Sequence, residues 1–330
     1  MSLFAEPPVP EFMAFLMFAF GASIGSFLNV VAYRVPLGMS IIRPASRCPH
    51  CETPIRSFDN VPVLGWLWLR GKCRACRGPI SPRYPLVEFL LGAVFFVLAW
   101  VEWPMGGVNL PGADLDQMQR YGVFAYHALL IVGLLALALV EFDGKSITKV
   151  GVLLSLLGVV LGAPWLFLHP VSPPFTLMRT EELVQEKMLG FVDGLTGWVV
   201  GIVIGCLAAI ATDRGPSGLQ GRQTAIVALA AVGAFLGWQA VAALGAVTTA
   251  VFALVVMYRA AWRRLSGVPF SGVLFVATVA WLLNWRNITT EYPVVGFEAN
   301  HLTLAVAGGV VVVASLVAWG FTRRAVVSSS

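Results

Sequence analysis

SRCPHCETPIRSFDNVPVLGWLWLRGKCRACRGPISPRYPLVEFLLG, residues 46–92, decides the fold. It holds two Cys-x-x-Cys knuckles, Cys48–Cys51 and Cys73–Cys76, with 21 residues (52–72) between them, and then runs into an apolar helix at RYPLVEFLLG. Just upstream, GASIGSFLNVVAYRVP at 21–36 closes another apolar helix. A four-cysteine module thus hangs between two candidate membrane helices.

The composition around that stretch agrees. Of 330 residues, 58% are hydrophobic and 12% charged, where a soluble domain carries about 25% charge. Mean hydropathy is +0.81. So much apolar surface cannot be hidden from water by one core, so the bilayer is the solvent. Windows of about 17–25 apolar residues span it. Nine are expected: 12–33, 86–103, 122–142, 150–168, 196–212, 224–239, 240–257, 268–284 and 302–321, the sixth and seventh meeting at Gly237–Gln239. The fold class expected is an all-α polytopic membrane protein with a small cytoplasmic zinc module after its first helix. Its domains are a first helix at 12–33, a cytoplasmic loop domain at 34–85 and a helical membrane domain at 86–322. Residues 170–195 read as an outside loop with a short polar helix at Glu181–Lys187. No internal repeat is expected.

Basic residues set the orientation. With the N-terminus outside, 18 of the 22 Lys and Arg fall in inside segments and four (Arg120, Arg179, Lys187, Arg286) outside. The positive-inside rule then puts the cysteine module and the C-terminus in the cytoplasm. The net charge of +5 is a topology and lipid-headgroup signal, and no nucleic acid is expected as a partner. No basic n-region precedes the first span, so a cleaved signal peptide is not expected.

Paired Cys-x-x-Cys knuckles bring four thiolates to one tetrahedral Zn²⁺. On the reducing side of the membrane the rival reading, two disulfides, loses its ground. Cys48, Cys51, Cys73 and Cys76 are the expected ligands, and the ion supplies folding energy to a module with little core. His50 is a bystander to a complete shell. Cys206, mid-span, reads as a small buried residue. Four thiolates leave no open position for water, so any chemistry lies elsewhere.

Ionisable groups at membrane depth are costly and mark function. Glu88 opens the second span, Glu141 and Asp143 close the third, and His127 lies inside it. Asp143 stands where an apolar run meets FDGKSITK: it is either half of an aspartic-protease pair, in which one carboxyl holds a proton while the other activates water, or a helix-end aspartate in a turn with Gly144. Glu141, two residues away, does not share its helix face.

These residues together resemble the prepilin peptidases, or type IV leader peptidases. GSFLNVVAYRVP at 25–36 is similar to that family's first-helix motif, 46–92 to its zinc loop and second-helix entry with its PLVE motif, GAFLGWQ at 233–239 to its sixth-helix motif, and VPFSGVLF at 268–275 to a late (I/V)PFGPxL motif. The resemblance implies an aspartic endopeptidase in the bacterial inner membrane. It would cut the basic leader from type IV prepilins or type II secretion pseudopilins, and many members N-methylate the product with S-adenosylmethionine. It further implies two catalytic aspartates. Asp143 matches the first. The second belongs to a Gly-Asp pair opening the sixth span, and an ungapped count back from GAFLGWQ puts that pair on Thr224-Ala225.

No acid stands in GLQGRQTAIVALAAVGAFLGWQ, residues 218–239. Asp213, one loop earlier, either folds back as a substitute partner or belongs to an ordinary turn in DRGPSG. Two readings follow: a working leader peptidase with a displaced second carboxylate, or a catalytically impaired relative that binds leaders or assists assembly. A third keeps methyl transfer alone, with no glycine-rich nucleotide loop to carry it.

Overall fold

The computed structural model describes residues 10–102, 117–162, 183–210, 218–262, 269–291 and 306–318. Their regular structure is helical, with no strand among them, only the isolated bridges Arg47–Pro54 and Lys72–Pro79. The chain divides into two compact units, Met1–Val108 and Asn109–Ser330.

The first unit contains α1 (Pro10–Arg34), the five-residue α2 (Leu64–Trp68) and α3 (Arg83–Glu102). Large side chains such as Phe15, Phe20 and Phe27 on α1 and Phe89 on α3 are exposed, as expected where lipid replaces water around a helix. The facing surfaces of α1 and α3 are narrow. A methyl group added at Gly25 would come within 2.9 Å of the Glu88 Cα, so the two backbones nearly touch, and small residues are what permits that in lipid.

The second unit contains α4 (Gln117–Phe142), α5 (Thr148–Gly162), α6 (Leu183–Ala208), α7 (Gly218–Trp262) and α8 (Phe270–Glu291), followed by the apolar helix α9 (Val306–Ala318). A straight 45-residue helix would be about 67 Å long, but α7 is not straight. Gly237 has φ 82° and ψ 173°, a conformation open to glycine. Gly233 and Val241 would be about 12 Å apart along one axis, yet a Cβ on Gly233 would lie 3.2 Å from the Val241 side chain. Gly245 likewise lies against Leu229. The chain therefore reverses at Gly237, giving two antiparallel limbs, and the boundary expected at Gly237–Gln239 falls on the turn.

With that hairpin counted as two, each of the nine expected windows overlaps a helix among the described residues. Among the described residues, five stretches are long and apolar enough to cross a bilayer, Phe12–Leu37, Arg83–Glu102, Met118–Phe142, Gly190–Ala208 and Gly221–Tyr258. The loop expected over 170–195 is corrected in part. Residues 163–182 lie outside the described residues, but from Leu183 onward the chain is already α6, which absorbs most of the short helix expected at Glu181–Lys187 and brings Asp193 onto a helix.

The core of this unit is the α6–α7 contact. A Cβ on Gly197 would sit 2.1 Å from the Gly233 carbonyl oxygen, and one on Gly201 would sit 2.3 Å from that of Leu229. The order 197–233, 201–229, 205–226 makes α6 antiparallel to the first limb of α7. Helix α5 runs parallel to that limb, with Gly151 on Val227 and Gly158 on Phe235. The Tyr126 hydroxyl of α4 donates to the Phe235 carbonyl at 3.0 Å, and its ring stacks on Phe235 at 4.5 Å.

Candidate functional site

The cysteine module is built twice from the same local pattern. Residues 47–55, RCPHCETPI, and 72–80, KCRACRGPI, superpose with a shift of 25. In the first, Cys48 N–H donates to Thr53 O, Glu52 N–H to Cys48 O and Ile55 N–H to Ser46 O. In the second, Cys73 N–H donates to Gly78 O, Arg77 N–H to Cys73 O and Ile80 N–H to Gly71 O. Even the left-handed residues correspond, Glu52 (φ 55°) and Arg77 (φ 61°). An internal repeat is therefore present, against expectation. It was legible as the recurring basic-Cys-x-x-Cys-x-x-Pro-Ile, but is too short to stand out at whole-chain scale.

The four sulfurs lie within 4.8 Å of one another, with Cys48 Sγ and Cys76 Sγ 3.9 Å apart. That is far beyond a disulfide bond of about 2.05 Å. It is close to the edge of a tetrahedral thiolate cage, about 3.8 Å when metal–sulfur bonds are about 2.3 Å. The Thr53 hydroxyl and amide bring the Cys51 thiol down to about 6, and the amides of Cys76 and Ala75 lower that of Cys73, whereas, against the Gly78 amide, the neighbouring thiols and burial push Cys76 up to about 11. His50 is outside the cluster, its ring against Gly78.

The segment joining the knuckles is fastened at two points. Asp59 takes a two-pronged pair from Arg74, at 2.7 and 2.6 Å, and Arg74 also lies over the Phe58 ring. Arg74 thereby holds the Asp59 carboxyl below the usual carboxylate range. At the second point, Leu64 N–H donates to Pro62 O across Val63 at 2.6 Å. Val63 has φ 62° and ψ −54°, the strained form of a three-residue turn, and its own N–H donates to Glu88 of α3 at 2.7 Å. Glu88 thus ties α3 to a strained backbone at Val63.

In the second unit, four helix ends gather around the Asp143 turn. Helix α4 stops in a double-bonded cap, in which Lys145 N–H donates to Val140 O and Gly144 N–H to Glu141 O, with Gly144 at φ 66°. Asp143 is the last residue before that glycine, and it is exposed. A carboxylate at a helix C-terminus opposes the helix dipole, so capping alone is a poor reason for an aspartate here. Helix α5 starts five residues later, and its Thr148 hydroxyl donates to the Gln223 side chain of α7 at 3.1 Å. The Asp143 turn therefore stands at the end of the bundle where α7 begins.

Thr224 and Ala225, the positions matching the missing aspartate, are buried about two turns into α7. Ala225 O lies beside Gly205 of α6, in packed, apolar surroundings. Asp213 lies outside the described residues.

Three further outcomes depart from the sequence reading. Cys206 is exposed on α6, not buried, because its side chain points away from the α7 contact made by Gly205. Glu141 reaches the start of α8, with Phe270 N–H and Ser271 N–H donating to its two oxygens at 2.9 Å each and the Ser271 hydroxyl donating as well. Asp193 is buried in α6, and among the described residues one of its oxygens has no hydrogen-bond partner, nor has the side chain of Gln239, just past the α7 turn. Only the acidity of Asp193 and Glu141 was visible in the sequence. The Glu141 partners lie far along the chain.

Comparison with known proteins places these features. The family model described as Bacterial Peptidase A24 N-terminal domain matches residues 19–102. The prepilin leader peptidase/N-methyltransferase of Myxococcus xanthus is 56% identical over 87 residues, 26% of each chain. That of Klebsiella pneumoniae is 35% identical over 247 residues, 70% of this chain and 92% of its own. That of Stutzerimonas stutzeri is 30% identical over 312 residues, 85% and 94%. No solved structure matches.

Proposed function

Because this chain belongs to the prepilin leader peptidase family, we propose that it processes the leaders of type IV prepilins or pseudopilins at the cytoplasmic face of the bacterial inner membrane. The observation that carries this is the exposed Asp143 at the gathered helix ends, a carboxyl set against its own helix dipole. As first carboxylate it would take or give the proton of a water attacking the scissile carbonyl. Asp213 is the candidate for the second role. The basic excess in the inside segments supports a cytoplasmic site, with N-terminus outside and C-terminus inside.

Zn²⁺ is the ion proposed for Cys48, Cys51, Cys73 and Cys76, since tetrahedral four-thiolate sites suit it. When bound it supplies structure, and its closed shell leaves the water chemistry to the carboxyls. S-adenosylmethionine is expected from the relatives' naming as N-methyltransferases. No cradle for it is assigned among the described residues, and no step is built on it.

One observation favours a second reading. Thr224 and Ala225 are buried and non-acidic, so a leader-binding relative that does not cleave fits the same surface. Full-length protein in detergent, given a synthetic leader-plus-helix peptide, separates the two. Release of the leader, seen by mass spectrometry, supports processing. Saturable binding with no release supports the second reading, and neither binding nor release defeats both.

A further inference from the structure

The Glu141 carboxylate faces three donors on a helix more than a hundred residues away in sequence. Helix α8 opens at Phe270, preceded by Pro269. A helix start leaves its first amides without partners, and a side chain at the preceding position normally caps them. Proline has no side-chain acceptor, so α8 brings no cap of its own. Glu141 supplies it from α4, one oxygen taking Phe270 N–H and the other Ser271 N–H and the Ser271 hydroxyl. Its negative charge also suits the positive end of the α8 dipole.

Glu141 is at the same time part of the Asp143 turn, because its carbonyl accepts Gly144 N–H at 2.9 Å. One residue therefore fastens the backbone on which Asp143 sits to the start of α8. We propose that Glu141 is a positioning residue: it locks the Asp143 turn to the α8 N-terminus and so sets where the Asp143 carboxyl stands. This rests on the reading of Asp143 as the first reacting carboxylate. With both oxygens engaged, Glu141 is held in place rather than free to reach a substrate. Ser271 is its accessory, adding the third donor.

The test uses full-length protein in detergent and two readouts. The first, hydrogen exchange, needs no activity. In Glu141→Gln, which keeps the shape but loses one acceptor oxygen, amides 270–271 and amides 143–145 should exchange together, about tenfold faster or more. Ser271→Ala, which leaves the two amide bonds, should move the same two segments less. Faster exchange at 270–271 with 143–145 unchanged overturns the proposal, as does no change at either.

The second readout is leader-peptide cleavage. Glu141→Gln should lower kcat by about 10²-fold, the scale of a 1 Å misplacement, with KM nearly unchanged. Glu141→Asp, shorter but charged, should retain more activity than Glu141→Gln; a purely space-filling role predicts the reverse order and contradicts the proposal. Loss of cleavage in Glu141→Gln with cleavage intact in Asp143→Asn would make Glu141 itself the reacting carboxyl, and the proposal falls. If the unaltered chain cleaves nothing, the processing reading fails on its own, and hydrogen exchange still decides the lock.

Discussion

The groups that shape the cysteine knuckles come from residues 46–80, with Glu88 of α3 tying the segment between them. Those that gather around Asp143 come from helix ends spread from Glu141 to Ser271. The first site is written in local spacing. Two knuckles of one pattern each fold on their own hydrogen bonds, and the four sulfurs meet because the pattern recurs. The second site has no local pattern. It exists because α4, α5, α7 and α8 pack with their ends at one place, and that packing depends on glycines that let backbones touch.

The largest effect expected on either side is metal loss in the first. With an ion supplying folding energy of about 10–16 kcal/mol in isolated modules, Cys73→Ser should drop bound zinc from about one per chain to none. Amides in 46–80 should lose their protection from hydrogen exchange. Retained protection in a zinc-free chain would mean the knuckles hold themselves, and the local site would need no ion.

A smaller effect should come from the packing that makes the second site. Gly197→Ala places a methyl group against the Gly233 carbonyl. Overpacking of this kind costs about 1–3 kcal/mol, and here the obstacle is backbone that cannot rotate away. The thermal midpoint in detergent should fall clearly, with exchange rising along α6 and the first limb of α7. An unchanged midpoint would show that the distributed site tolerates loosening, which would blur the contrast with the module.

The smallest effect concerns Asp59 and Arg74. Arg74 holds the folded Asp59 carboxyl below its unfolded value, which is about 3.9. The pair's contribution is therefore present above that unfolded value and is lost as pH falls through the lower folded one. Thiolate protonation acts on the natural chain and on Asp59→Asn alike. The difference in protection of residues 57–76 between them should be constant near neutrality and shrink below about pH 4. A difference that grows on acidification would contradict the assigned pair.

The sequence made the two sites unequally legible for the same physical reason. Cys48, Cys51, Cys73 and Cys76 could be read from spacing alone, since two residues between cysteines is a geometric statement about one turn. Nine apolar windows were readable because bilayer thickness sets a length, and the hairpin at Gly237 was visible as a meeting of two such windows. The Glu141 tie to Phe270 and Ser271 was not, because nothing local to Glu141 names its partner. The Val63 strain was hidden for a related reason: valine is a poor residue for that conformation, and only the bond from its amide to Glu88 explains its keeping it. Asp193 escaped because residues expected as an outside loop are helical from Leu183 onward.

The claim on which the functional account turns is that Asp143 is a reacting carboxyl. It is tested most directly by reconstituting the full-length protein with a prepilin in lipid vesicles and comparing leader removal by the natural chain and by Asp143→Asn. The account predicts removal by the natural chain and a fall of about 10³-fold or more in the variant, the scale seen when one member of a catalytic unit is lost. Equal rates of leader removal in the two would contradict it.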